Sequence, residues 1–419
     1  MDKGANYEVR DIKLAEQGFL NLEIAESRMQ ALIKVRQRFA KEKPLKGVKI
    51  GMALHVTKET GALVRTLIEG GADVAITGCN PLSTQDDVAA ALAKEGIKVW
   101  AYKGENKEDY YRYLNNIIEF RPNITIDDGC DLVSEIHKKH QHLIKDIIAG
   151  CEETTTGVIR LKAMERDNAL KYPMIAVNDN KTKHLLDNYY GTGQSTIDGI
   201  LRATNILFAG KNVVVCGYGS CGKGVSLRAQ GMGSSVIVTE VNPFRALQAA
   251  LDGFRVMPIE EAAKIGDIFI TVTGNKNVID IDHMKLMKDG VVLANSGHFD
   301  AEININQLKK IAKFRKVRPF LDEFIISGKK LYICGEGRLV NLAAAEGHPS
   351  EVMSTSFCGQ ALACEYAVKN KGSLPIKVVQ LPEDIDDHIA KLQVQAMGME
   401  IDALTKEQKE YLESWQEGT

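Results

Sequence analysis

Residues 213–240 read VVVCGYGSCGKGVSLRAQGMGSSVIVTE, and they decide the fold of the second half of the chain. The stretch opens with an apolar run typical of a buried strand, and its middle part reads as a helix. Between the two, Gly217, Gly219 and Gly222 form the pattern G-x-G-x-x-G, whose glycines allow a tight turn and a close approach of backbone N–H groups to a pyrophosphate. A second predicted strand ends at Glu240, 18 residues after Gly222. This order of elements predicts a Rossmann domain that binds a dinucleotide.

The acidic residue indicates which dinucleotide is bound. A carboxylate at the position of Glu240 accepts hydrogen bonds from a ribose 2′-hydroxyl and repels a 2′-phosphate, which favours NAD over NADP. Arg245 lies close by in the sequence and keeps NADP open as the alternative. A glycine turn that serves only the packing of helix on strand would explain the glycines but not the acid.

Composition limits the class of protein. The 419 residues are enough for two or three domains, and 53 basic against 55 acidic residues give a formal net charge of −2, which offers no basic field to nucleic acid or an anionic membrane. The polar N-terminus has no signal-peptide pattern, and no stretch approaches about 18 uninterrupted apolar residues. Eight cysteines without C-x-x-C spacing indicate reduced thiols and no zinc site. We expect a cytoplasmic protein with a small-molecule substrate, no nucleic-acid or membrane partner, and no bound metal.

The first half of the chain alternates between strand-like and helix-like runs. VKIGMALHV precedes ETGALVRTLIEGG, DVAITGCN precedes TQDDVAAALAKEG, and two more such units follow. Alternation of this kind is typical of a parallel sheet covered by helices on both faces. The sequence therefore predicts an α/β fold with two doubly wound parallel-sheet domains, of which the second is the Rossmann domain.

Polar residues gather where the predicted strands of the first half end. Ligands of open α/β sheets bind beyond the carboxyl ends of the strands, and His55, Thr57 and Glu59 follow the first strand there. Asp128 and Glu153 close two later strands. A helix cap at Thr57, a carboxylate favoured by the helix start at Glu59, and turn-forming acids are the structural alternatives.

Further candidates lie between the two predicted sheets. Thr154, Thr155 and Thr156 form a run of hydroxyl donors suited to ribose or phosphate oxygens, or else a capped loop. Lys183 and Asp187 are spaced i,i+4 on a helix with the lysine on the N-terminal side, the poorer orientation for a surface ion pair, which favours a functional reading.

The second half adds His298, Asn341 and His348 after predicted strands. A lone histidine is more often structural than catalytic. A nucleotide site, a lysine, several carboxylates and three histidines together nevertheless point to a reaction centre that faces a nicotinamide.

Eight motifs carry a family resemblance. LHVTKET, NPLSTQDD, DDGCDL, EETTTG, VNDNKTKHLLDN, GYGSCGKG, SGHFDAEI and EGRLVNLAAAEGHPS resemble, in order and spacing, the S-adenosylhomocysteine hydrolase family over nearly the whole chain. The resemblance implies a substrate domain at 1–181 completed by 347–397, a Rossmann domain at 193–346 and a tail at 398–419. It also implies a homotetramer with one tightly bound NAD per subunit.

The resemblance further implies a reaction. Transient oxidation of the 3′-hydroxyl acidifies C4′–H, homocysteine leaves by β-elimination, water adds, and the stored hydride returns. Lys183 and Asp187 are expected to handle the 3′-hydroxyl proton, with the pKa of Lys183 lowered by burial and neighbours. Asp128 is expected to act at C4′, and His55 on the leaving thiolate and the incoming water.

Binding roles follow from the same resemblance. Thr57 and Glu153 are expected to hold the ribose hydroxyls, and Glu153 counts among the catalytic residues. Glu59 and the loop of His348 are expected at the base, and His298 with His348 at the amino-acid end. The remaining expected NAD contacts are Thr154, Thr155, Thr156, Asn188, Gly217, Gly219, Gly222, Glu240, Arg245, Thr273 and Asn341.

The sequence departs from the family pattern at three places. Thr192 stands where many members have a cysteine near the nicotinamide, so no thiol role is expected there. Glu346 stands in the base-binding loop where many members have methionine, and we expect it to contact the substrate. The chain also lacks the Lys- and Tyr-containing tail that in longer members reaches a neighbouring subunit's NAD.

Two alternatives for the substrate class stay open. Glu59 can accept from the N6 amino group of adenine or from N1–H of hypoxanthine, so S-inosyl-L-homocysteine is the alternative to S-adenosyl-L-homocysteine. More distant readings are an NAD-dependent hydroxy-acid dehydrogenase and a non-catalytic module that binds NAD.

Overall fold

The structure, a computed structural model, describes residues 1–416, so the last three residues of the predicted tail lie outside the described part. The strands are β1 (Asp2–Gly4), β2 (Tyr7–Val9), β3 (Lys49–Ala53), β4 (Asp73–Thr77), β5 (Lys98–Trp100), β6 (Ile124–Asp127), β7 (Ala149–Glu152), β8 (Met174–Ala176), β9 (Asn212–Cys216), β10 (Ser235–Thr239), β11 (Arg255–Val256), β12 (Ile268–Thr271), β13 (Val291–Asn295), β14 (Lys313–Arg318), β15 (Leu321–Ile326), β16 (Lys329–Cys334) and β17 (Val378–Val379).

The α-helices lie between these strands and after them. They are α1 (Ala15–Arg28), α2 (Gln30–Glu42), α3 (Lys58–Glu69), α4 (Asp86–Lys94), α5 (Lys107–Glu119), α6 (Asp131–Lys139), α7 (Thr155–Arg166), α8 (Thr192–Thr204), α9 (Ser220–Gly231), α10 (Pro243–Leu251), α11 (Ile259–Ile265), α12 (Ile281–Leu286), α13 (Ile305–Ile311), α14 (Val340–Ala343), α15 (Ser350–Lys369), α16 (Glu383–Ala396) and α17 (Lys406–Glu413).

The strands form two sheets. The first has the order β1-β2-β5-β4-β3-β6-β7-β8-β17 and is parallel except for the β1–β2 pair. The second has the order β11-β10-β9-β12-β13-β16-β15-β14, with β15 antiparallel to both of its neighbours. Both sheets are covered by helices, and the central strands β9 and β12 are almost wholly buried, as expected for apolar runs in a parallel sheet.

Each sheet has a switch point where the strand order reverses direction, and these points position the site. In the first sheet the switch lies between β3 and β6, and in the second between β9 and β12. Ligands of such sheets bind in the crevice at the carboxyl ends of these strands. His55 and Asp128 follow β3 and β6, and Gly217 and Thr273 follow β9 and β12.

The chain returns to the first sheet after completing the second. The 20-residue helix α15 packs against α2 and α3, and β17 pairs with β8 in parallel. A π-helical segment, Thr182–Gly191, runs without interruption into α8 and links the two sheets. Close approach of helices is required at this link, because a Cβ on Gly224 in α9 would lie 1.9 Å from the carbonyl oxygen of Tyr189.

The structure confirms two parallel-dominated sheets and differs from the predicted elements in detail. The run LVSEIHKKHQHLIKDI over 132–147 belongs to the last strand–helix unit of the first half, and its pattern predicts one helix. In the structure it breaks at His140, whose φ and ψ of −127° and 36° leave the helical region, and a 3₁₀ turn at Gln141–Asp146 follows. The antiparallel strands β14 and β15 were not anticipated, because β14 (KFRKVR) contains four basic residues and two acidic residues interrupt β15 (LDEFII), whereas β16 ends in the apolar run LYIC. Within residues 1–416, no helix has both the length and the apolar character needed to cross a membrane.

Candidate active site

The two switch points open into one cavity of about 960 Å³ between the sheets. Nineteen of the twenty-one residues that the sequence singled out line it, and Gly222 and Glu346 do not. The lining residues are His55, Thr57, Glu59, Asp128, Glu153, Thr154, Thr155, Thr156, Lys183, Asp187, Asn188, Gly217, Gly219, Glu240, Arg245, Thr273, His298, Asn341 and His348.

Lys183 lies at the centre of a buried cluster of charges. Its Nζ donates to Asn188 Oδ1 at 2.8 Å and lies 3.2 Å from Asp187 Oδ2 and 3.8 Å from Glu153 Oε1. Burial lowers the pKa of Lys183, but Asp187, Glu153 and Asp128 together raise it above its ordinary value. The expectation of a lowered pKa is therefore wrong for this structure, because opposite charges outweigh desolvation.

The two carboxyl groups beside Lys183 differ in acidity. Burial raises the pKa of Glu153 to about 8, and Gln360 Nε2 donates to its Oε2. Burial also acts to raise the pKa of Asp187, but Lys183 and His348 hold that pKa below its usual range. Asp187 is therefore the stronger acid of the two and carries negative charge beside Lys183 at neutral pH.

Asp187 is held by two donors from the returning segment. Ser356 Oγ donates to Oδ2 at 2.8 Å, and His348 Nδ1 contacts Oδ1. The other ring nitrogen of His348 lies 3.3 Å from Thr192 Oγ1. The sequence places His348 with His298 at the amino-acid end, whereas the structure gives the two histidines different neighbours.

A second acid–base group forms where β3 and β6 end. His55 Nε2 lies 3.4 Å from Asp128 Oδ2, and His298 Nδ1 lies 3.4 Å from Asp128 Oδ1. Burial lowers the pKa of His55 to about 4 in spite of Asp128. One ligand atom from each of these three residues lies within 4.8 Å of the others, a grouping that could hold a metal ion although the sequence analysis predicts none.

Sequence reasoning missed two neighbours of His55. Ser83 Oγ lies 2.7 Å and Cys79 Sγ 3.2 Å from His55 Nδ1. Both residues come from the loop after β4, which the motif NPLSTQDD partly contains. The motif indicated that this loop is functional, but no spacing rule connects Ser83 to His55, which lies 28 residues earlier in the chain.

Thr192 offers no thiol, but the structure brings the thiol of Cys221 close to it. Cys221 Sγ, in the glycine-rich turn, lies 3.6 Å from Thr192 Oγ1 and lines the cavity. Burial raises the pKa of this thiol, so it is protonated at neutral pH.

Glu59 lies buried at the cavity wall. Ser350 Oγ donates to Glu59 Oε1 at 2.6 Å, and Lys58 Nζ lies 3.4 Å from the same oxygen. Glu59 Oε2 has no hydrogen-bond partner among the described residues, which leaves it available to a ligand. The apolar side chains that line the same cavity include Leu54, Leu339, Leu342, Met353 and Phe357.

Glu346 does not occupy the position that the sequence suggests. Its side chain is 59% exposed and pairs with Lys58 Nζ at 2.9 Å and Arg202 at 3.7 Å, outside the cavity lining. Two cations therefore hold the carboxylate outside the cavity lining, and its contact with the substrate stays a prediction.

The glycine-rich turn has the shape of a pyrophosphate cradle. Gly217 has φ of +108°, and a Cβ on Gly222 would lie 2.0 Å from the carbonyl oxygen of Gly217. A Cβ on Gly219 would instead meet only Arg245 Nη1, at 3.8 Å. Gly217 and Gly222 are required by the local backbone conformation and packing, whereas Gly219 leaves open space where a cofactor phosphate fits.

Other groups at this end also fit a dinucleotide. Glu240 Oε2 accepts from the N–H of Tyr218 at 2.8 Å, and Oε1 accepts from the next two residues. Asn341 Oδ1 is buried without a partner in the described part of the chain, while its Nδ2 donates to Ser195 Oγ. An unpaired buried amide oxygen suits a carboxamide N–H₂ such as that of nicotinamide.

Thr273 depends on a carboxylate that the sequence analysis did not single out. Glu302 accepts from Thr273 N at 2.9 Å, from Thr273 Oγ1 at 2.7 Å and from Gly274 N at 2.8 Å. The loop after β12 is thereby fixed at the cavity. Glu302 was visible only as part of the motif SGHFDAEI.

A glycine cradle on one sheet and two acid–base clusters on the other, joined by one cavity, define an enzyme built to use a dinucleotide cofactor. Residues 6–148 match the family model of S-adenosyl-L-homocysteine hydrolase, and residues 188–347 match its NAD binding domain. The chain belongs to the S-adenosyl-L-homocysteine hydrolase family, and NAD is its cofactor.

Relatives with two different names match over nearly the full length. An S-inosyl-L-homocysteine hydrolase of Methanocaldococcus jannaschii is 58% identical over 414 residues, covering 99% of this chain and all of the relative. Adenosylhomocysteinases of Saccharolobus solfataricus and Aquifex aeolicus are 58% and 56% identical, each over 99% of this chain and all of the relative.

Proposed function

We propose that this chain catalyses the reversible hydrolysis of S-adenosyl-L-homocysteine to adenosine and L-homocysteine. The observation that carries the proposal is the pair of acid–base clusters around one cavity: Lys183 with Asp187 and Glu153, and Asp128 with His55. Two separate proton transfers, at the 3′-hydroxyl and at C4′, need two such groups. A single hydride exchange at one alcohol would need only one.

The residues proposed to bind the cofactor lie in and around the glycine-rich turn. Gly219, Glu240, Thr273 and Asn341 would hold NAD, with the threonine run 154–156, Asn188 and Arg245 as further contacts. When bound, NAD⁺ supplies an acceptor for the hydride of the 3′ carbon and returns it at the end of the cycle.

Lys183 is the proposed proton carrier at the 3′-oxygen. Since its raised pKa keeps Lys183 charged at rest, it can take the proton of the 3′-hydroxyl only as one of its own protons moves to the Asp187 carboxylate. Because Asp187 is the stronger acid, this transfer is uphill and has to be coupled to the loss of the hydride from the 3′ carbon. His348 and Ser356 hold Asp187 in place for this transfer. Glu153 and Thr57 would bind the ribose hydroxyls.

Asp128 and His55 are proposed to act at C4′ and C5′. Asp128 removes the C4′ proton, which the 3′-ketone acidifies, and His55 serves the departing sulfur and the incoming water. Their separation of 3.4 Å allows both to face adjacent carbons of one ribose. Glu59 would bind the base, and His298, which contacts Asp128 from the second sheet, would face the amino-acid end.

Hydrolysis of S-inosyl-L-homocysteine is the second candidate. Glu59 Oε2 has no hydrogen-bond partner within residues 1–416, and an anionic acceptor is satisfied by the N6 amino group of adenine or by N1–H of hypoxanthine. The M. jannaschii relative named for the inosyl compound and the S. solfataricus adenosylhomocysteinase have the same sequence identity to this chain, 58%.

Domain roles and assembly complete the proposal. Residues 1–181 with 347–397 would bind substrate, 193–346 would bind NAD, and 398–419 would form a tail. Five large hydrophobic side chains within residues 401–416 are more than half exposed, which favours contact with another copy and hence the homotetramer: Ile401, Leu404, Tyr411, Leu412 and Trp415. Light scattering tests the tetramer, and cell fractionation tests the proposed cytoplasmic location.

The test of function separates the two proton transfers. Lys183→Ala and Asp128→Asn are each expected to lower hydrolysis by roughly 10²–10⁴-fold. With 5′-deoxyadenosine, which has a 3′-hydroxyl but no leaving group at C5′, Asp128→Asn is expected to keep the reduction of bound nicotinamide and Lys183→Ala to lose it. Lys162→Ala, which removes an exposed partner of Asp179 at 3.2 Å, is the matched control and should keep both activities.

Other outcomes identify the alternatives. Stoichiometric release of free NADH would show a hydroxy-acid dehydrogenase, and the absence of turnover with any nucleoside thioether would leave a binding module. Near-wild-type hydrolysis by either variant would remove the role proposed for that residue.

A further inference from the structure

Ser83 occupies a position next to the acid–base group that the reaction needs at C5′. It lies in the loop 78–85 between β4 and α4, is 3% exposed, and comes within 2.7 Å of His55 Nδ1. Nothing in the proposed chemistry uses this hydroxyl directly, since the cavity side of the imidazole is its other nitrogen.

The hydroxyl has one proton, and a second acceptor competes for it. Ser83 Oγ donates to the carbonyl oxygen of Asn80 at 3.0 Å. With its proton so placed, the same Oγ is an acceptor toward His55 Nδ1–H. A chain from Nδ1–H to Ser83 Oγ–H to the Asn80 carbonyl would fix both the ring orientation and the tautomer of His55.

We infer that Ser83 is a positioning residue that holds the proton of His55 on Nδ1 and so keeps Nε2 free as a proton acceptor facing Asp128. This inference rests on the proposed function and adds a residue to it. Nε2 lies 3.4 Å from Asp128 Oδ2, and burial keeps the ring neutral at rest.

The arrangement gives a closed route for one proton. Asp128 takes the C4′ proton, and the electron pair of the C4′–H bond forms the C4′–C5′ double bond while the C5′–S pair leaves with sulfur. The proton then passes from Asp128 to His55 Nε2 and from there to the sulfur. Water addition follows the same path backward: its proton goes to Nε2, then through Asp128 to C4′.

Ser83 accepts the same hydrogen bond from Nδ1–H whether the His55 ring is neutral or protonated. When Nε2 takes the proton, the imidazolium keeps its Nδ1–H donated to Ser83, and Asp128 stabilises the positive charge. Cys79 Sγ, 3.2 Å from Nδ1, is a weaker acceptor and cannot replace the hydroxyl fully.

The neighbouring residue offers a matched control. Thr84 is in the same loop and 1% exposed, and its Oγ1 has no hydrogen-bond partner among the described residues. Thr84→Val removes a buried hydroxyl from the loop without touching His55. Ser83→Thr keeps the hydroxyl and should rescue activity.

The experiment compares three variants of the holoenzyme in two reactions. Ser83→Ala is expected to lower hydrolysis of the thioether about tenfold, the equivalent of one neutral hydrogen bond, and to leave reduction of bound nicotinamide by 5′-deoxyadenosine within about twofold of wild type. Thr84→Val and Ser83→Thr should stay within about threefold of wild type in both reactions. Nitrogen-15 NMR of ring-labelled wild type, with His55→Gln to assign the signal, should show the proton on Nδ1.

Several results would overturn the inference. These are hydrolysis by Ser83→Ala within about twofold of wild type, an equal loss in both reactions, an equal loss in Thr84→Val, or an Nε2–H tautomer. A wild-type enzyme that hydrolyses neither purine thioether would overturn the proposed function itself, whereas an active wild type with an unaffected Ser83→Ala overturns the role of Ser83 alone.

Discussion

Glu105 carries a buried carboxyl group whose removal is expected to stabilise the protein in alkaline solution. It is 4% exposed, and neither side-chain oxygen has a hydrogen-bond partner in the described part of the chain. Burial, assisted by Asp109 and Asp86, raises the pKa of Glu105 from 4.5 to about 8. Glu105→Gln keeps the size of the side chain and removes its titration.

The magnitude follows from the difference between the folded and unfolded states. Below about pH 4.5 both states hold the proton, and the group contributes no pH-dependent penalty. Between about 4.5 and 8 the unfolded chain ionises while folded Glu105 does not, so the free energy of unfolding falls by about 1.36 kcal/mol per pH unit. Over roughly 3.5 units the loss reaches about 5 kcal/mol, and it stays constant at higher pH.

Urea unfolding at about pH 5 and about pH 9 measures the effect. The gain in unfolding free energy from Glu105→Gln over wild type should be several kcal/mol larger at the higher pH. Glu119→Gln, which changes an exposed carboxyl on α5, is the matched control and should give the same small difference at both. An equal effect of Glu105→Gln at the two pH values would refute the reasoning, since only a raised pKa links this residue to pH.

Two further predictions concern the cofactor and the base. Gly219→Ala should weaken NAD binding at least about tenfold, measured by calorimetry of the cofactor-free protein, because the new methyl group fills the cradle. The same variant should leave the unfolding midpoint unchanged. Gly222→Ala should instead lower the unfolding midpoint, because its Cβ would lie 2.0 Å from a carbonyl oxygen. Glu346→Met should change the ratio of kcat/KM for the S-adenosyl and S-inosyl thioethers by less than about threefold, because the Glu346 carboxylate pairs with Lys58 outside the cavity. A tenfold change in this ratio would show that Glu346 reaches the base.

Much of the fold was predictable because it is encoded locally. The order of strand, glycine turn, helix and acid over residues 213–240 predicts the Rossmann unit, and the structure has β9, α9 and β10 in that order. The antiparallel strands β14 and β15 were not predicted, because β14 is exposed and contains four basic residues, and because Asp322 and Glu323 interrupt the apolar residues of β15.

The candidate residues were predictable one at a time, since each follows a strand end or a recognisable motif. Their mutual contacts were not. Ser83 reaches His55 and Glu302 reaches Thr273 only through the fold, and both were missed. Glu346 was placed at the base by its neighbours in sequence, whereas two cations from other elements hold it outside.

The sequence by itself determined the two-sheet architecture and the NAD-binding turn, because hydrophobic periodicity and glycine spacing act over short stretches of chain. Its family motifs indicated nineteen of the residues that border the cavity. Only the tertiary structure decided the charge states. The pKa of Lys183 is raised rather than lowered because Glu153, Asp187 and Asp128 converge on it from three separate elements. Electrostatic energies depend on distances between groups far apart in the chain, and folding alone sets those distances.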